Sequence, residues 1–179
     1  MDRIERINRT LKYKGTILDI YDDEVRLANG NTAHWDFISH GGAAAVVPVL
    51  PDGRILMVKQ YRNALDRFTL EIPAGKLDAP GEPGDEAAKR ELSEETGYEA
   101  GEMIPLLILN TTVAFCNEKI WIYVTFIDDR CGEQSLDDDE DIQVKAYSVS
   151  ELEEMIYSMQ ITDSKTIAAI LAYKNKYVK

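Results

Sequence analysis

The chain has 179 residues, 45% of them hydrophobic, and a formal net charge of −12. That length suits one domain, or one domain with an appendage, with enough apolar side chains for a substantial core. The acidic balance offers no basic patch for nucleic acid or for an anionic membrane surface, and no apolar run reaches spanning length.

The first residues, MDRIERINRT, are too charged for a signal peptide. Cys116 and Cys131 form no CxxC and no ligand set with His34 or His40, and read as reduced thiols of a cytoplasmic protein. Residues 1 to about 40 read as strands with tight turns. Thr16 to Tyr21 alternates and ends at Asp22-Asp23. Val25 to Ala28 ends at Asn29-Gly30, a strong hairpin signal, and Thr32 to Ser39 follows. Three short strands alone make a marginal sheet, so this piece is expected to lean on something else, a partner subunit being one option. Gly41-Gly42 marks the boundary and divides the chain into 1–41 and 42–179.

Ala43 to Leu50 is a continuous apolar run, as for a strand buried on both faces. Pro51-Asp52-Gly53 is a turn, Arg54 to Tyr61 the return strand, and Phe68 to Ile72 leads into Pro73-Ala74-Gly75. Further strands are expected at Met103 to Leu109, Lys119 to Ile127 and Ile142 to Ser148. Ser150 is placed to cap a helix from Glu151 to Met159, with Glu153 in capping-box position. Asp163 or Thr162 opens a last helix, Lys165 to Tyr177, with Ile167, Ile170, Leu171 and Lys174 on one face. Strands interleaved with a few helices predict an α/β layered domain.

The most informative stretch is Gly75 to Tyr98, GKLDAPGEPGDEAAKRELSEETGY. A Gly/Pro-rich loop runs into a helix-prone segment, Asp85 to Thr96, that sets Glu91, Glu94 and Glu95 within one turn. Positions three and four apart share a helical face, and like charges there repel. Such crowding is an ordinary solvated acidic face with Lys89 and Arg90 as ion-pair partners, or it is a cation site. Hard oxygen ligands suit Mg²⁺ or Mn²⁺ rather than zinc. Gly97 stands where a left-handed residue ends the helix.

Gly75, Glu82, Arg90, Glu91, Glu94, Glu95 and Gly97 together resemble the Nudix box, the signature of hydrolases that cleave a nucleoside diphosphate linked to another group. From Glu82 onward the match is complete. Gly75 and Glu82 enclose six residues, one more than the family's usual spacing, and the extra residue falls in the Asp78-Ala79-Pro80-Gly81 turn. Lys59-Gln60-Tyr61-Arg62, Leu70-Glu71-Ile72-Pro73-Ala74-Gly75 and Ile161-Thr162-Asp163-Ser164-Lys165-Thr166 are similar to segments of the ADP-ribose pyrophosphatase branch.

The resemblance implies a Nudix fold, a mixed β-sheet sandwiched between helices, with an N-terminal antiparallel β-sheet extension. It implies that this extension forms a homodimer and contributes to substrate binding. It further implies two to three Mg²⁺ or Mn²⁺ ions held by the Ala74 carbonyl, Glu91, Glu94, Glu95 and Glu140. Gly75, Glu82, Arg90 and Gly97 take structural roles, Arg90 by pairing with the carboxylates. Leu77 counts among the residues near the substrate.

Arg62 is either a surface arginine paired with Asp66 or Glu71, or a planar fork for a diphosphate or terminal ribose. Glu71 either faces solvent or lies near the substrate. Trp35 is an interface or core aromatic, or it stacks on a nucleobase, with Tyr21 and Phe37 as weaker alternatives. The branch often carries Pro-Gly-Phe-Ser after the box, where this chain has Val113-Ala114-Phe115-Cys116.

The expected reaction is hydrolysis of ADP-ribose to AMP and ribose 5-phosphate. GDP-mannose-type or other nucleotide sugars and an oxidised nucleoside triphosphate rank next. A sensor that binds without turnover would be marked by a broken box, and this box keeps every carboxylate.

A carboxylate held between cations is a poor base because its pKa is depressed. The acidic run Asp137 to Asp141 offers a carboxylate nearer solvent; the resemblance implies that such a loop supplies the base or another ligand, with Glu140 the best match, then Asp138, and Glu94 the candidate within the box. Glu140→Gln should therefore lower kcat by roughly 10²–10⁴ with little change in KM, and Asp138→Asn should do less. Steady-state kinetics of both variants checks this. A crippled Asp138→Asn beside a near-normal Glu140→Gln would reassign the base.

Overall fold

The computed structural model describes residues 3–79, 81–128, 130–136 and 141–178. The chain divides into two units, Met1–Gly42 with Asn110–Lys119, and Ala43–Leu109 with Ile120–Lys179.

In the first unit, β1 (Glu5–Lys14), β2 (Asp19–Arg26) and β3 (Thr32–Ser39) form an antiparallel sheet in that order. Residues 1 to about 40 form strands as expected, but the strand end expected at Asp22-Asp23 does not occur. The charged N-terminus is itself a strand of 10 residues, and β2 runs straight through Asp22-Asp23. The cause is cross-strand charge pairing. Arg9 lies opposite Asp23 and holds its carboxylate at 2.6 and 2.5 Å, so an aspartate that would break an isolated strand is neutralised and buried. The Asn29-Gly30 turn forms as expected, with Gly30 at φ 85°. The sheet's support within this unit is the 110–119 turn. Ile38 N–H donates to Phe115 O at 2.6 Å, and Asn117 Oδ1 accepts from His40 N–H at 2.8 Å.

The second unit holds β4 (Ala43–Val49), β5 (Ile55–Arg62), β6 (Arg67–Glu71), β7 (Ala74–Lys76), β8 (Ile104–Asn110), β9 (Lys119–Phe126) and β10 (Gln143–Tyr147). Its sheet runs β10-β5-β4-β9-β8, with β6 on β5 and β7 on β4. β4 and β9 are parallel, while β4–β5, β4–β7, β5–β6 and β5–β10 are antiparallel, so the sheet is mixed. The apolar run behaves as expected of a strand covered on both faces. Ala45, Val47 and Val49 join a core with Leu152, Ile156 and Ile170, whereas Ala44 and Val46 join a second core with Ala87, Ala88 and Leu92. Helix α1 (Gly84–Thr96) thus covers one face, and α2 (Val149–Tyr157) and α3 (Ser164–Tyr177) the other. Among the described residues no helix is long and apolar enough to cross a membrane.

Two helix details differ from expectation. The cap of α2 is Ser148, not Ser150. Its Oγ accepts from Glu151 N–H at 3.2 Å, while Glu151 Oε2 accepts from Ser148 N–H at 2.7 Å. This register places Leu152 in the core, with Tyr147 on the residue before the cap packed against the same cluster. On α3 the cap is Asp163, but the buried face carries Lys165, Thr166, Ala169, Ile170 and Tyr173, and Lys174 turns to Glu153 of α2 at 2.6 Å.

Removing the α2 cap should cost about 1 kcal/mol in Ser148→Ala and less than about 0.5 kcal/mol in Ser150→Ala, as read from urea unfolding.

Candidate active site

Three positions on α1 bring acid to one edge of β7. Leu92, Ala87 and Ala88 fix the opposite face of the helix in the core, which leaves Arg90, Glu91 and Glu94 outside it. Glu91 lies hard against the start of β7. A Cβ on Gly75 would stand 1.9 Å from the Glu91 carboxyl carbon, so only glycine allows this approach. Glu95 is 2% exposed and accepts from the Ala74 N–H at 3.1 Å.

The β4–β7 register explains why Ala74 is available. Val46 N–H donates to Pro73 O, and Ala74 lies opposite Ala45. In an antiparallel ladder, bonded and non-bonded pairs alternate, so Ala74 falls in a non-bonded pair. Its N–H and its carbonyl both point away from β4, and the N–H meets Glu95.

Arg90 sits among the acids. Its Nη1 donates to Glu91 at 2.8 Å and to Glu94 at 3.0 Å, and its Nη2 to the Lys76 carbonyl at 3.1 Å. Nε lies 3.1 Å from Asp78 Oδ2 and 3.6 Å from Glu82 Oε1, without the geometry of a hydrogen bond to either. Arg90 therefore bridges two carboxylates with one nitrogen instead of forking onto a single one. Burial works against its charge, but the fields and hydrogen bonds of Glu91 and Glu94 outweigh this and raise its pKa. The longer turn leaves Glu82 in place, since Glu82 Oε2 accepts from Asp78 N–H at 2.6 Å. Gly97 ends the helix at φ 74°, ψ 2°. Leu77 is partly buried and packs against the α1 core.

The donor set is one of hard oxygens, with four carboxylates around a single guanidinium and Glu95 turned to Ala74 beside them, and that chemistry fits a divalent Mg²⁺- or Mn²⁺-type cation. Among the described residues, no three His, Cys, Asp or Glu side chains converge at metal-holding spacing. Arg90 lies among Glu91 and Glu94, and Glu95 is turned to Ala74.

Glu140 and Asp138 lie outside the described residues. Their flanks are tied to α1. Ser135 N–H donates to Glu94 O at 3.0 Å, and Gln134 Nε2 donates to Glu95 O at 2.5 Å and to Ile142 O at 3.2 Å.

A second cluster precedes Ala74 in the chain. Arg62 does pair with Glu71, through Nε at 2.8 Å and Nη2 at 2.6 Å. Glu71, however, is buried, not solvent-facing, and also accepts from Thr69 Oγ1 at 2.6 Å and from Lys165 Nζ. Lys165 was not foreseen. A lysine in the first turn of a helix reads as exposed, and the one sequence mark it carries is its place in the Ile161-Thr162-Asp163-Ser164-Lys165-Thr166 segment. These residues line a cleft of about 410 Å³ that also takes in Ala64, Leu65, Thr162 and Ser164.

In the first unit, Trp35 is 48% exposed and so is no core residue of this chain. Tyr21 and Phe37 pack with Arg9, whose guanidinium lies 3.6 Å from the Phe37 ring centre.

Fold and site together define a mixed sheet between helices with a carboxylate-bearing helix against β7. The profile of the NUDIX domain matches residues 39–170. The chain is 34% identical over 162 residues to an ADP-ribose pyrophosphatase of Bacillus subtilis (strain 168), covering 88% of this chain and 85% of that protein. It is 36% identical over 159 residues to a methanol dehydrogenase activator of Bacillus methanolicus, again covering 88% and 85%. A crystal structure of an ADP compounds hydrolase superposes with a TM-score of 0.84 at 18% identity, over 97% of this chain and 93% of that one, a likeness of fold. The chain belongs to the NUDIX family and is a Nudix hydrolase.

Burial alone would raise the Glu71 pKa. The hydrogen bonds from Arg62 and the charges of Lys165 and Arg62 outweigh it and hold the carboxyl down to about 2, against an ordinary 4.5. A depressed carboxyl stabilises the fold fully above its unfolded pKa and loses that contribution as pH falls through its folded one. Glu71→Gln should therefore be less stable than wild type at pH 7, on the order of 3 kcal/mol. The gap should close as pH falls from about 4.5 toward 2. Denaturant unfolding across that range checks it, and a gap independent of pH would contradict it.

Proposed function

We propose that this Nudix hydrolase cleaves the diphosphate linkage of a nucleoside diphosphate sugar, with ADP-ribose, giving AMP and ribose 5-phosphate, as the first choice. The observation that carries the reading is the Glu91 carboxylate seated against Gly75 beside Ala74 and Glu95. Similarity to a protein named ADP-ribose pyrophosphatase over 85% of its length supports the choice of substrate.

Two to three Mg²⁺ or Mn²⁺ ions would be held by the Ala74 carbonyl, Glu91, Glu94 and Glu95, which leaves Glu140 of the acidic loop to act as the base rather than as a further ligand. When bound, such ions supply charge neutralisation and Lewis acidity toward the diphosphate and the attacking water. The chain's own residues do the rest. Arg90 keeps Glu91 and Glu94 apart and oriented. Arg62 offers the edge of its guanidinium not used by Glu71 to an anionic oxygen of the substrate. Glu140 takes the proton of the water as its oxygen bonds to one phosphorus. The bond from that phosphorus to the bridging oxygen breaks, and the bridging oxygen leaves with the other phosphate.

The N-terminal piece 1–41 serves in this reading as a dimerisation and substrate-binding extension. Ile7, Leu11, Tyr13 and Trp35 are each more than two-fifths exposed on its strands, an apolar display that a second copy would cover. Trp35 is then at the interface or stacked on the base. The likeness to a methanol dehydrogenase activator favours a second reading, in which the chain modulates a partner enzyme.

Phosphate release from AMP and ribose 5-phosphate by added phosphatase, screened over nucleoside diphosphate derivatives, tests the first reading. Turnover should require Mg²⁺ or Mn²⁺, and Glu94→Gln should lower kcat/KM by about 10²-fold or more. Full activity in EDTA would sink the metal role, and no turnover of any derivative would leave the activator reading. Light scattering should give a homodimer at micromolar concentration, and a monomer would remove the shared-site arrangement.

A further inference from the structure

A buried lysine demands an account. Lys165 is 7% exposed, and its ammonium donates to Glu71 Oε2 and, at 3.0 Å, to Asp163 Oδ2. Lysine is rarely buried unless paired, since burying an ammonium is costly and replacing such a pair by apolar packing is often neutral. As a device for stability alone, the cluster is an inefficient one.

Its geometry has a direction. Asp163 also caps α3, accepting from Thr166 N–H at 3.0 Å, and Thr166 Oγ1 accepts from Ile72 N–H at 3.0 Å. The first turn of α3 is thereby fixed to the Glu71–Ile72 backbone, which continues through Pro73 to Ala74. Lys165 holds one oxygen of Glu71, and Thr69 holds the other at 2.6 Å. A carboxylate so clamped presents both oxygens to Arg62, which takes them through Nε and Nη2. That edge-on pairing leaves the opposite edge of the guanidinium to the cleft, where the Arg62 side chain is 40% exposed. A long, flexible arginine would otherwise lose rotamer freedom only when ligand arrives.

We propose that Lys165 is a positioning residue for substrate binding. Through Glu71 it pre-orders Arg62, so that the free guanidinium edge is aimed at an anionic oxygen of the nucleoside diphosphate substrate in the cleft. This rests on the reading of Arg62 as a substrate ligand given under Proposed function.

The test is a kinetic cycle on ADP-ribose with Mg²⁺, using Lys165→Met, Arg62→Ala and the double variant. Circular dichroism and melting establish that each is folded. Lys165→Met should raise KM roughly ten-fold with kcat within about two-fold, because pre-ordering acts on binding. The double variant should be no worse than Arg62→Ala alone, because the two act through one contact. An unchanged KM in folded Lys165→Met, or additive effects in the double variant, overturns the proposal. If Lys165→Met does not fold, Thr69→Val removes a bond to the Glu71 oxygen that Arg62 Nε also uses. It should raise KM about three-fold, an effect absent in the Arg62→Ala background, and no rise would overturn the proposal equally. Arg62→Ala with a wild-type KM, or no turnover at all, instead fails the parent reading and this one with it.

Discussion

Arg90 is the charge on which the acidic helix depends. Without it, Glu91 and Glu94 would face one another across a single turn beside Asp78 and Glu82, an arrangement that disfavours the helix. With it, one nitrogen touches Glu91 and Glu94, and another ties the helix to the Lys76 carbonyl of β7. The acidic side chains of this turn are therefore held by an arginine of their own helix. Loss of Glu94 also removes a partner of Arg90. Loss of Glu95 touches a carboxylate that is buried and bonded to the Ala74 backbone.

The two charged clusters of the second unit share a short stretch of backbone. Glu71 and Ala74 are three residues apart, one at the end of β6 and the other at the start of β7. Thr166 holds Ile72 between them, and Pro73 O continues the ladder to β4. The segment that would offer a carbonyl to a metal is thus clamped from one side by the first turn of α3 and from the other by Glu95 of α1. The charge of Glu95 also reaches Arg62 and helps to raise its pKa, behind the larger contribution of the Glu71 hydrogen bonds. Fixing the backbone at this point would hold the proposed cation and anion sites a set distance apart.

The first unit follows a different logic. Its sheet is built on charge pairs, Arg9 with Asp23 and Lys12 and His34 with Asp22, with Arg9 over Phe37, and not on an apolar core. The Val113-Ala114-Phe115-Cys116 stretch that stands where Pro-Gly-Phe-Ser was expected has a backbone role, since Phe115 and Cys116 pair with Ile38 of β3. Val113 itself is 83% exposed.

Local chemistry was legible in the chain. The spacing from Glu82 to Gly97 determined a helix with its acids on one side, because helical periodicity needs no distant partner. Gly97 and Asn29-Gly30 determined where the backbone turns, because few other residues take a positive φ cheaply. The Ala43 to Leu50 run determined a strand covered on both faces. What only the tertiary structure decided lies between residues far apart. Lys165 meets Glu71 across 94 positions, and the aspartates of β2 survive in a strand because Arg9, 14 positions earlier, neutralises Asp23. Ser148, not Ser150, caps α2, because its exchange of bonds with Glu151 forms in the helix register that has Leu152 in the core. Charge, unlike periodicity, carries no mark of its partner. A lysine or an aspartate reads as surface until folding brings its counter-charge within hydrogen-bonding distance.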